Sequence, residues 1–412
     1  MSTSAPSARA GERPATGLIA LLAAVTATGP LAMQVFLPAL PAVQTDFAVD
    51  AGTAQLTLSL SMVAIALSTL AWGPLSDRYG RRPVLLAGLA LFVLGTLVCA
   101  LAPDVAVLVA GRVVQAAGGA AGMVLARAVV RDRFGPERAA GVIAQLTMVM
   151  VVAPMIAPAI GGVLTDLFAW RAVFWFAAVA GVAIALAVAV ALPESHPARG
   201  RAETPAELLQ GFRAVLGSAR FRGYVGHTAC SSVIFFSFIS GAPYLMVHTL
   251  GRPATEYGLW FVLVSLGFMA GNFLAVRFSG RLPLLRLMGI GSALGLAGVL
   301  LCATLVAAGA LSPAALFVPV AFALLGNGLA MPNAQAGAIN VFPDRAGTAS
   351  GFSGFAQMTV ASVATQLVGQ LQDGTAWPML AAMTLGATGA LGCIVVVFLA
   401  EQRGEGALAV GT

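Results

Sequence analysis

The sequence predicts an all-α polytopic membrane protein whose twelve transmembrane helices form two six-helix halves. The chain is 59% hydrophobic and only 9% charged, with a mean hydropathy of +0.92. A soluble globular chain is typically about half apolar and about a quarter charged. Apolar runs of roughly 20 residues, long enough to cross a bilayer, recur along almost the whole length. One long polar stretch, residues 193–222, divides these runs six and six.

Charged residues, prolines and glycines interrupt the apolar runs and set the predicted span boundaries. The twelve spans lie near residues 17–37, 52–75, 83–102, 105–130, 139–163, 170–192, 221–248, 255–277, 284–308, 313–336, 347–370 and 375–399. The predicted domains are a tail, a first half, a linker, a second half and a tail, over residues 1–16, 17–192, 193–220, 221–400 and 401–412. Within the linker, "TPAELLQGFRAVL" predicts a short amphipathic surface helix.

Arginine placement predicts the orientation of the chain, because short loops on the cytoplasmic side of a membrane accumulate positive charge. With the N-terminus inside, 18 of the 22 arginines fall on the cytoplasmic side, two fall outside, Arg171 and Arg252, and two lie in span four, Arg112 and Arg127. Both termini are then cytoplasmic, and residues 1–16 are interpreted as a tail because no convincing signal cleavage site follows them. This topology explains the net charge of +6 without a nucleic-acid partner.

Residue composition argues against several kinds of chemistry. The chain contains no lysine, so a GxxxxGK[ST] phosphate-binding loop cannot form. His227 and His248 lie near opposite ends of span seven without the neighbouring acids and cysteines that a metal or catalytic set requires, and His196 lies in the linker. The cysteines each stand alone in an apolar run, without the spacing of a metal site or a disulfide framework, at Cys99, Cys230, Cys302 and Cys393. The sequence therefore predicts no catalytic residues, no cofactor and no metal site.

The densest cluster of charge is "GPLSDRYGRRP", residues 73–83, between spans two and three. Gly73 allows close helix packing, and Gly80 supplies a permissive turn. Asp77 can pair with arginines and with the positive N-terminal end of a neighbouring helix. A plain positive-inside anchor would explain the arginines but neither the acid nor the glycines. The predicted motif residues are Gly73, Asp77, Arg78, Gly80, Arg81 and Arg82.

This stretch resembles the G-x-L-[AS]-D-R-x-G-R-[RK] signature that the major facilitator superfamily carries between spans two and three. The resemblance implies a transporter whose two halves alternate access around a central cavity, with the Asp77 pairs latching one state shut. A weaker echo, "RFSGRLPLLR", follows span eight. It keeps Gly280 and Arg281 but has Arg277 where the first half has Asp77. The echo supports duplicated halves, which are typical of such transporters.

Span four carries a charge at depth. Arg112 lies about seven residues, or roughly 10 Å, inside the outer edge of its span, and Gln115 and Gly118 follow on the same face. A charge at that depth is costly unless it faces the bundle interior or a wet cavity, so Arg112 is a functional candidate. Snorkelling to the outer headgroups is the alternative. The segment resembles the second superfamily motif, in which a span-four arginine is associated with proton transfer.

Span five contains "APMIAPAIGGVL", which resembles the antiporter motif of exporting members. Its prolines bend the helix and its paired glycines allow close contact with a facing helix, at Pro154, Pro158, Gly161 and Gly162. Stretches such as "DLFAWRAVFWF" and "LQDGTAWP" resemble the bicyclomycin and chloramphenicol resistance branch of twelve-helix drug:proton antiporters. This resemblance extends from about residue 30 to residue 400. It implies a monomer that exports small amphiphilic compounds across a bacterial cytoplasmic membrane in exchange for protons.

One position departs from that branch, which commonly carries an aspartate in span one where this chain has Gln34. No Asp or Glu lies deep within any predicted span, although a buried carboxylate is the simplest intramembrane proton carrier. The residues themselves thus support transport more strongly than proton coupling. The candidates for coupling or for the cavity are Gln34, Arg112, Gln115 and Gly118.

Flexible thioethers, aromatic rings and amides within the spans suit a cavity for varied amphiphiles, although Met and Phe are also ordinary packing residues. The predicted cavity residues are Met33, Met123, Phe235, Phe236, Asn327, Met331 and Gln357. Two other functions stay open. The Pro-Gly pattern of span five argues against an uptake carrier for a metabolite. The absence from the sequence of a clustered His, Cys or carboxylate set argues against a membrane-embedded enzyme, and the duplicated halves argue against a receptor.

Overall fold

The computed structural model describes residues 12–195 and 205–402, and the regular secondary structure in those residues is entirely helical. Helices suit a chain in lipid because they satisfy every backbone polar group internally. Within the described residues twelve helices are long enough to cross a bilayer, which confirms the predicted fold class. Spans one to twelve are Glu12–Phe36, Ala51–Tyr79, Arg81–Ala100, Val105–Phe134, Gly141–Phe168, Ala172–Ala191, Ala219–Tyr244, Ala254–Phe278, Leu284–Ala307, Pro313–Val341, Ala346–Gln370 and Trp377–Gln402.

Short elements connect these spans. The helix Pro205–Leu216 occupies the linker where an amphipathic helix was predicted, and it buries Val215 while Phe212 packs edge-to-face on Phe352, with ring centroids 5.2 Å apart. The other short helical segments are Leu37–Ala39, Leu40–Phe47, Leu245–Thr249 and Pro343–Arg345. Spans four and five belong to one helical run, Val105–Phe168. The run turns back between the two spans, so that they lie side by side. This is shown by Arg127 Nη2 of span four, which is 3.7 Å from Met150 Sδ of span five.

Several spans begin at a side chain that caps the helix. A capping side chain accepts a hydrogen bond from a backbone N–H of the first turn, which has no partner within the helix. Spans two, four, seven and ten start this way, at 2.9 to 3.2 Å from the capped nitrogen, with Asp50, Asp104, Ser218 and Ser312. The polar residues that interrupt the apolar runs therefore also fix where these helices start.

Span two runs further than predicted and ends at Tyr79, so the residues from Gly73 onward form its last turns and not a loop. Only Gly80 separates it from span three. The prediction ended the span where polar residues begin. A helix can, however, continue beyond the apolar core of the bilayer, because its polar side chains are then solvated by water or paired with other side chains.

Span eleven differs in composition from the other spans. The other eleven have the length and hydropathy of membrane-crossing helices, whereas Ala346–Gln370 is rich in Gly, Ser, Thr and Gln. Its polar side chains contact span two. Ser59 donates a hydrogen bond to Gln366 Oε1 at 2.6 Å, and Ser362 donates to the Ser59 carbonyl at 2.8 Å. The polar character of span eleven thus serves the contact between the two halves.

The two ends of the bundle differ in how closely the halves approach. We call the end with residues 73–82 the motif end and the opposite end the far end. At the far end, Asp166 of span five accepts a hydrogen bond from Thr255 N of span eight at 2.7 Å. Just below it, a Cβ added at Gly258 would lie 2.4 Å from the Pro158 carbonyl oxygen. The halves are therefore in direct backbone contact there.

At the motif end the halves leave space between them. A cavity of about 750 Å³ lies between Leu70 of span two and the start of span eleven, with the linker helix along its side. Cβ atoms added at Gly347 or Gly354 of span eleven would meet nothing within 4 Å. The described state is closed at the far end and spacious at the motif end.

Candidate functional site

A second cavity, of about 230 Å³, lies between the two halves. We call it the central cavity. Spans one, five, seven, eight, ten and eleven supply its described lining: Gln34, Met150, Pro154, Ser232, Phe235, Phe236, Phe261, Val264, Ser265, Phe268, Leu324, Asn327, Met331 and Gln357. None of these described residues is charged. Apolar surface with a few amides and hydroxyls is the usual composition of a small-molecule site.

Gln34 is the span-one residue of this lining. Its side chain is buried, with 6% of the residue exposed, and Oε1 has no hydrogen-bond partner among the described residues. An unpaired buried polar group costs about 1–3 kcal/mol. By contrast, Asn327 is anchored, because its Nδ2 donates to the Ser231 carbonyl at 2.9 Å. Gln34 therefore presents a free acceptor at the cavity.

The predicted cavity residues divide into two groups. Those in the second half line the central cavity, namely Phe235, Phe236, Asn327, Met331 and Gln357. Met33 instead lines a small cavity of about 10 Å³ beside Arg112, and Met123 lines neither of these cavities. A substrate role for any of them stays a prediction.

Arg112 is buried in the first half, with 2% of the residue exposed. Its Nη1 donates to Gln115 Oε1 at 2.6 Å, and its Nε donates to the Thr57 carbonyl at 3.4 Å. The guanidinium carbon lies 4.6 Å from the ring centroid of Phe36 and 6.0 Å from that of Phe174. These contacts place the guanidinium in the bundle interior, which does not fit snorkelling to the headgroups.

The four coupling candidates are not gathered at one cavity. Arg112 and Gln115 line the small cavity, whereas Gln34 lines the central one. Gln115 Nε2 donates to Thr96 Oγ1 at 2.8 Å, which ties the Arg112 group to span three. Gly118 serves packing in this state, because an added Cβ would lie 2.3 Å from the backbone nitrogen of Phe92 in that span.

The proline and glycine motif of span five contacts both span one and span eight. A Cβ added at Gly161 would lie 1.9 Å from the Val35 carbonyl oxygen, and one at Gly162 would lie 2.5 Å from the Ala254 carbonyl oxygen. Pro154, two turns earlier, lines the central cavity. Span five therefore connects the cavity to the closed far end.

At the motif end, Arg81 lies between two carboxylates. Its Nη1 donates to Asp77, four residues earlier, and its Nε donates to Asp132 of span four at 3.0 Å. The same guanidinium also donates to Ser76 Oγ. Charge-assisted hydrogen bonds of this kind are stronger than neutral ones. The network joins spans two, three and four.

A third carboxylate, Glu194, follows span six and caps span three. It accepts hydrogen bonds from the backbone nitrogens of Arg81 at 2.9 Å and Arg82 at 3.1 Å. An acid at a helix N-terminus also offsets the positive end of the helix dipole. The Arg82 side chain donates to the Ala189 carbonyl of span six, whereas Arg78 lies over the ring of its neighbour Tyr79. All of these described contacts lie within the first half.

Sequence reasoning missed Asp132 and Glu194. The signal for Asp132 was an acid among the arginines of "RAVVRDRF", at the same end of its span as Asp77. The signal for Glu194 was an isolated acid directly after span six, beside the linker. Both needed the packing of distant spans to identify their partners.

The comparisons with known proteins decide the family. The sequence model of the Major Facilitator Superfamily matches residues 22–365. The chain belongs to the major facilitator superfamily. Multidrug resistance protein D of Escherichia coli is 30% identical over 86% of this chain and 89% of that protein. The bicyclomycin resistance protein homolog of Haemophilus influenzae is 29% identical over 90% of this chain and 92% of that protein.

Solved structures show the same fold. The xylose transporter XylE from E. coli, in a partially occluded inward open conformation, matches with a TM-score of 0.71 at 13% identity, covering 91% of this chain and 96% of that chain. Membership of this superfamily makes the chain a multi-pass membrane transporter and not an enzyme. The predicted resemblance to the resistance branch is confirmed by the relatives named above.

Two polar groups outside the motifs have structural partners. His227 is buried in span seven and hydrogen-bonds to Ser292 Oγ at 2.8 Å. Cys230 of span seven and Cys393 of span twelve, which stand alone along the chain, each lie against the other's helix: a Cβ added at Gly389 would lie 3.0 Å from Cys230 Sγ, and one at Gly226 would lie 2.9 Å from Cys393 Sγ. Over residues 12–195 and 205–402 there is no group of three or more His, Cys, Asp or Glu residues that could hold a metal ion.

Proposed function

We propose that this superfamily member exports small amphiphilic compounds, such as antibiotics of the bicyclomycin or phenicol type, from bacteria. The observation that carries the proposal is the central cavity between the halves, where phenyl rings and thioethers surround a few amides and hydroxyls. Such surfaces adapt to varied apolar molecules. The names of the relatives, multidrug resistance and bicyclomycin resistance, support the same class of substrate.

The orientation proposed is that of an inner-membrane protein with both termini and the motif end in the cytoplasm, which the distribution of arginine supports. In this orientation the described state is closed to the outside and loads substrate from the cytoplasm. Export then requires the halves to rock about the central cavity. The contact between Asp166 and Thr255 N must break as the far end opens.

The motif is proposed to latch the opposite state. Asp77 is 44% exposed in the described state, so it has capacity for a further partner. When the motif end closes, Asp77 is proposed to meet the N-terminal end of span eleven, which follows Arg345 and carries no acid in its first turn. Arg81 holds Asp77 in place for that contact.

Proton antiport is proposed as the energy source and a monomer as the working unit. A guanidinium stays charged in proteins, so Arg112 is assigned a binding or gating role and does not itself carry the proton. Drug flux in proteoliposomes, with and without an imposed pH gradient, tests the coupling. A flux that is indifferent to the gradient would exclude antiport.

Export itself is tested in a bacterial host stripped of its efflux pumps. Expression of the chain is expected to raise resistance to chloramphenicol or bicyclomycin and to lower accumulation of the labelled drug. The empty vector and the Asp77→Asn variant, checked for membrane insertion, are the controls. Increased accumulation would favour an uptake carrier. Unchanged accumulation across phenicols, bicyclomycin and cationic dyes would contradict export.

A further inference from the structure

The described lining of the central cavity lacks the negative charge that a cation-binding site needs. None of its described lining residues is acidic, and the hydrogen-bonding groups are amides and hydroxyls. The span-five sequence from Gly141 to Phe168 contains a single charged residue, Asp166, at the far end. Every lining span therefore meets the cavity without a carboxylate in the described residues.

The charges that span four brings to this region are positive. Arg112 is buried in the first half with neutral partners, Gln115 and the Thr57 carbonyl. Arg127 reaches Met150, which itself lines the central cavity. A cation entering the cavity would lose its hydration, find no counter-charge and be repelled by both arginines.

Within the described lining, aromatic rings are the feature that could attract a lipophilic cation without hydrogen-bond donors. Phe235 packs edge-to-face on Phe236, with ring centroids 5.2 Å apart, and on Phe261, with centroids 6.3 Å apart. These rings already use part of their faces and edges on one another. The attraction of a cation to a phenyl face is also several times smaller than the cost of desolvating the ion. The rings therefore favour an aromatic or apolar neutral molecule.

A second, independent feature is the unpaired carbonyl of Gln34. Oε1 is buried beside the cavity with no described partner, so it lacks a hydrogen-bond donor in the described state. A substrate hydroxyl or amide N–H is a group that would satisfy it. The free-energy cost of leaving Gln34 Oε1 buried without a donor is therefore offset only when substrate is bound.

We propose that the central cavity selects uncharged molecules that carry a hydrogen-bond donor, which Gln34 Oε1 accepts, and that it excludes lipophilic cations. This inference rests on the proposed function and narrows its substrate class. The cavity is the site of selection because its described lining has apolar surface and a free acceptor, Gln34 Oε1, but no negative charge.

The test is equilibrium binding to the purified full chain at pH 8, with radiolabelled chloramphenicol and bicyclomycin as neutral probes and tetraphenylphosphonium as the cation. Both neutral probes carry hydroxyl and amide donors. We expect at least one neutral probe to bind and tetraphenylphosphonium to bind about tenfold more weakly or less. Equal binding of the cation, or binding of neither neutral probe, would overturn the inference.

Variants of Gln34 test separately the hydrogen bond that Oε1 accepts from the substrate and the exclusion of lipophilic cations. Gln34→Leu removes the acceptor and should weaken binding of the neutral probe about fivefold. It should fold at least as well as wild type, because it deletes an unpaired buried polar atom. Gln34→Glu supplies a carboxylate and should strengthen tetraphenylphosphonium binding about tenfold. Unchanged affinities in both variants would remove Gln34 from the site.

Gln44→Leu is the matched control. Gln44 Oε1 is also buried without a described partner, but Gln44 does not line the central cavity, so its loss should leave both affinities unchanged. The binding assay is separate from the export assay. Selective binding without export in cells would contradict the proposed function alone, whereas export of cations and neutral drugs alike would contradict this inference alone.

Discussion

The connection after span two and the connection after span eight occupy equivalent places in the two halves, yet only the first is held by ion pairs. Arg81 lies between Asp77 and Asp132 in the first half. In the second half, neither Arg277 nor Arg281 has an ion-pair partner within the described part of the chain. The sequence echo has thus kept positive charge in both halves, but the carboxylates stand in one.

Both connections contain a glycine with positive φ, although the first consists of Gly80 alone and the second of residues 279–283. Gly80 has a φ of +96° and Gly280 a φ of +76°, a region that favours glycine. The sharp turn between two antiparallel spans is therefore enough to explain the glycine. The glycine alone does not indicate a latch. The acid at Asp77, replaced by Arg277 in the second half, is the residue that distinguishes a gate from a positively charged anchor.

The largest effect expected from this difference is that of Asp77→Asn. It removes one of the two carboxylate charges that flank Arg81 and the charge proposed to meet span eleven, so drug efflux should fall about tenfold or more. Folding should survive, because a partly exposed ion pair contributes about 0–1 kcal/mol. The measurement is the initial efflux rate of labelled drug, normalised to the protein in the membrane.

Arg277→Ala is the matched control for that variant, since it removes a charge at the equivalent place without breaking a described ion pair. Its efflux rate should stay within about twofold of wild type. Full efflux by Asp77→Asn, or equal losses in the two variants, would show that both turns are plain anchors.

The sequence predicted the local part of this comparison and missed the distant part. Asp77 and Arg81 are four residues apart, so a helix brings them together whatever else the fold does. Asp132 and Glu194 reach the same arginine only because spans four and six pack beside span three. Composition and apolar runs predicted the helices, including span eleven at residues 347–370, although its hydropathy is below that of the other eleven spans.

Cavity residues were harder to predict than motif residues for the same reason. Met33 and Gln34 are adjacent in the sequence, but they line different cavities, because the rotation of span one is set by its neighbours. The polar character of Gln34 marked it as a candidate. Which cavity it meets, and the fact that Oε1 has no described partner, became visible only with the second half in place.

An intermediate effect is expected from placing alanine at the two turn glycines. Both positions have positive φ, which costs a non-glycine residue about 1–2 kcal/mol. At Gly80 the new Cβ would also lie 2.9 Å from Glu194 Oε2, whereas at Gly280 it would meet nothing within 4 Å. Gly80→Ala should therefore lower efflux about threefold to tenfold and Gly280→Ala about twofold or less.

Efflux rates and thermal unfolding of the two glycine variants, measured on matched amounts of purified protein, separate strain from displacement. Equal loss of stability with unequal loss of transport is the expected pattern. If the two variants lose transport equally, the contact with Glu194 has no part in the gate and the positive φ alone explains both.

The smallest effect is expected at Glu194, because one substitution there removes the charge while keeping one of the two backbone hydrogen bonds. Glu194→Gln keeps one carbonyl oxygen, which can accept from the nitrogen of Arg81 or of Arg82, but removes the negative charge that offsets the start of span three. A charge at a helix end contributes about 0.3–1 kcal/mol, so efflux should fall about twofold to threefold at low salt. High salt screens such interactions, so raising the salt concentration in the efflux buffer should narrow the gap between wild type and Glu194→Gln.

Glu194→Ala, which also leaves two backbone donors without their partner, should lose more than Glu194→Gln at every salt concentration. Identical losses in the two variants would mean that the cap acts through its charge alone.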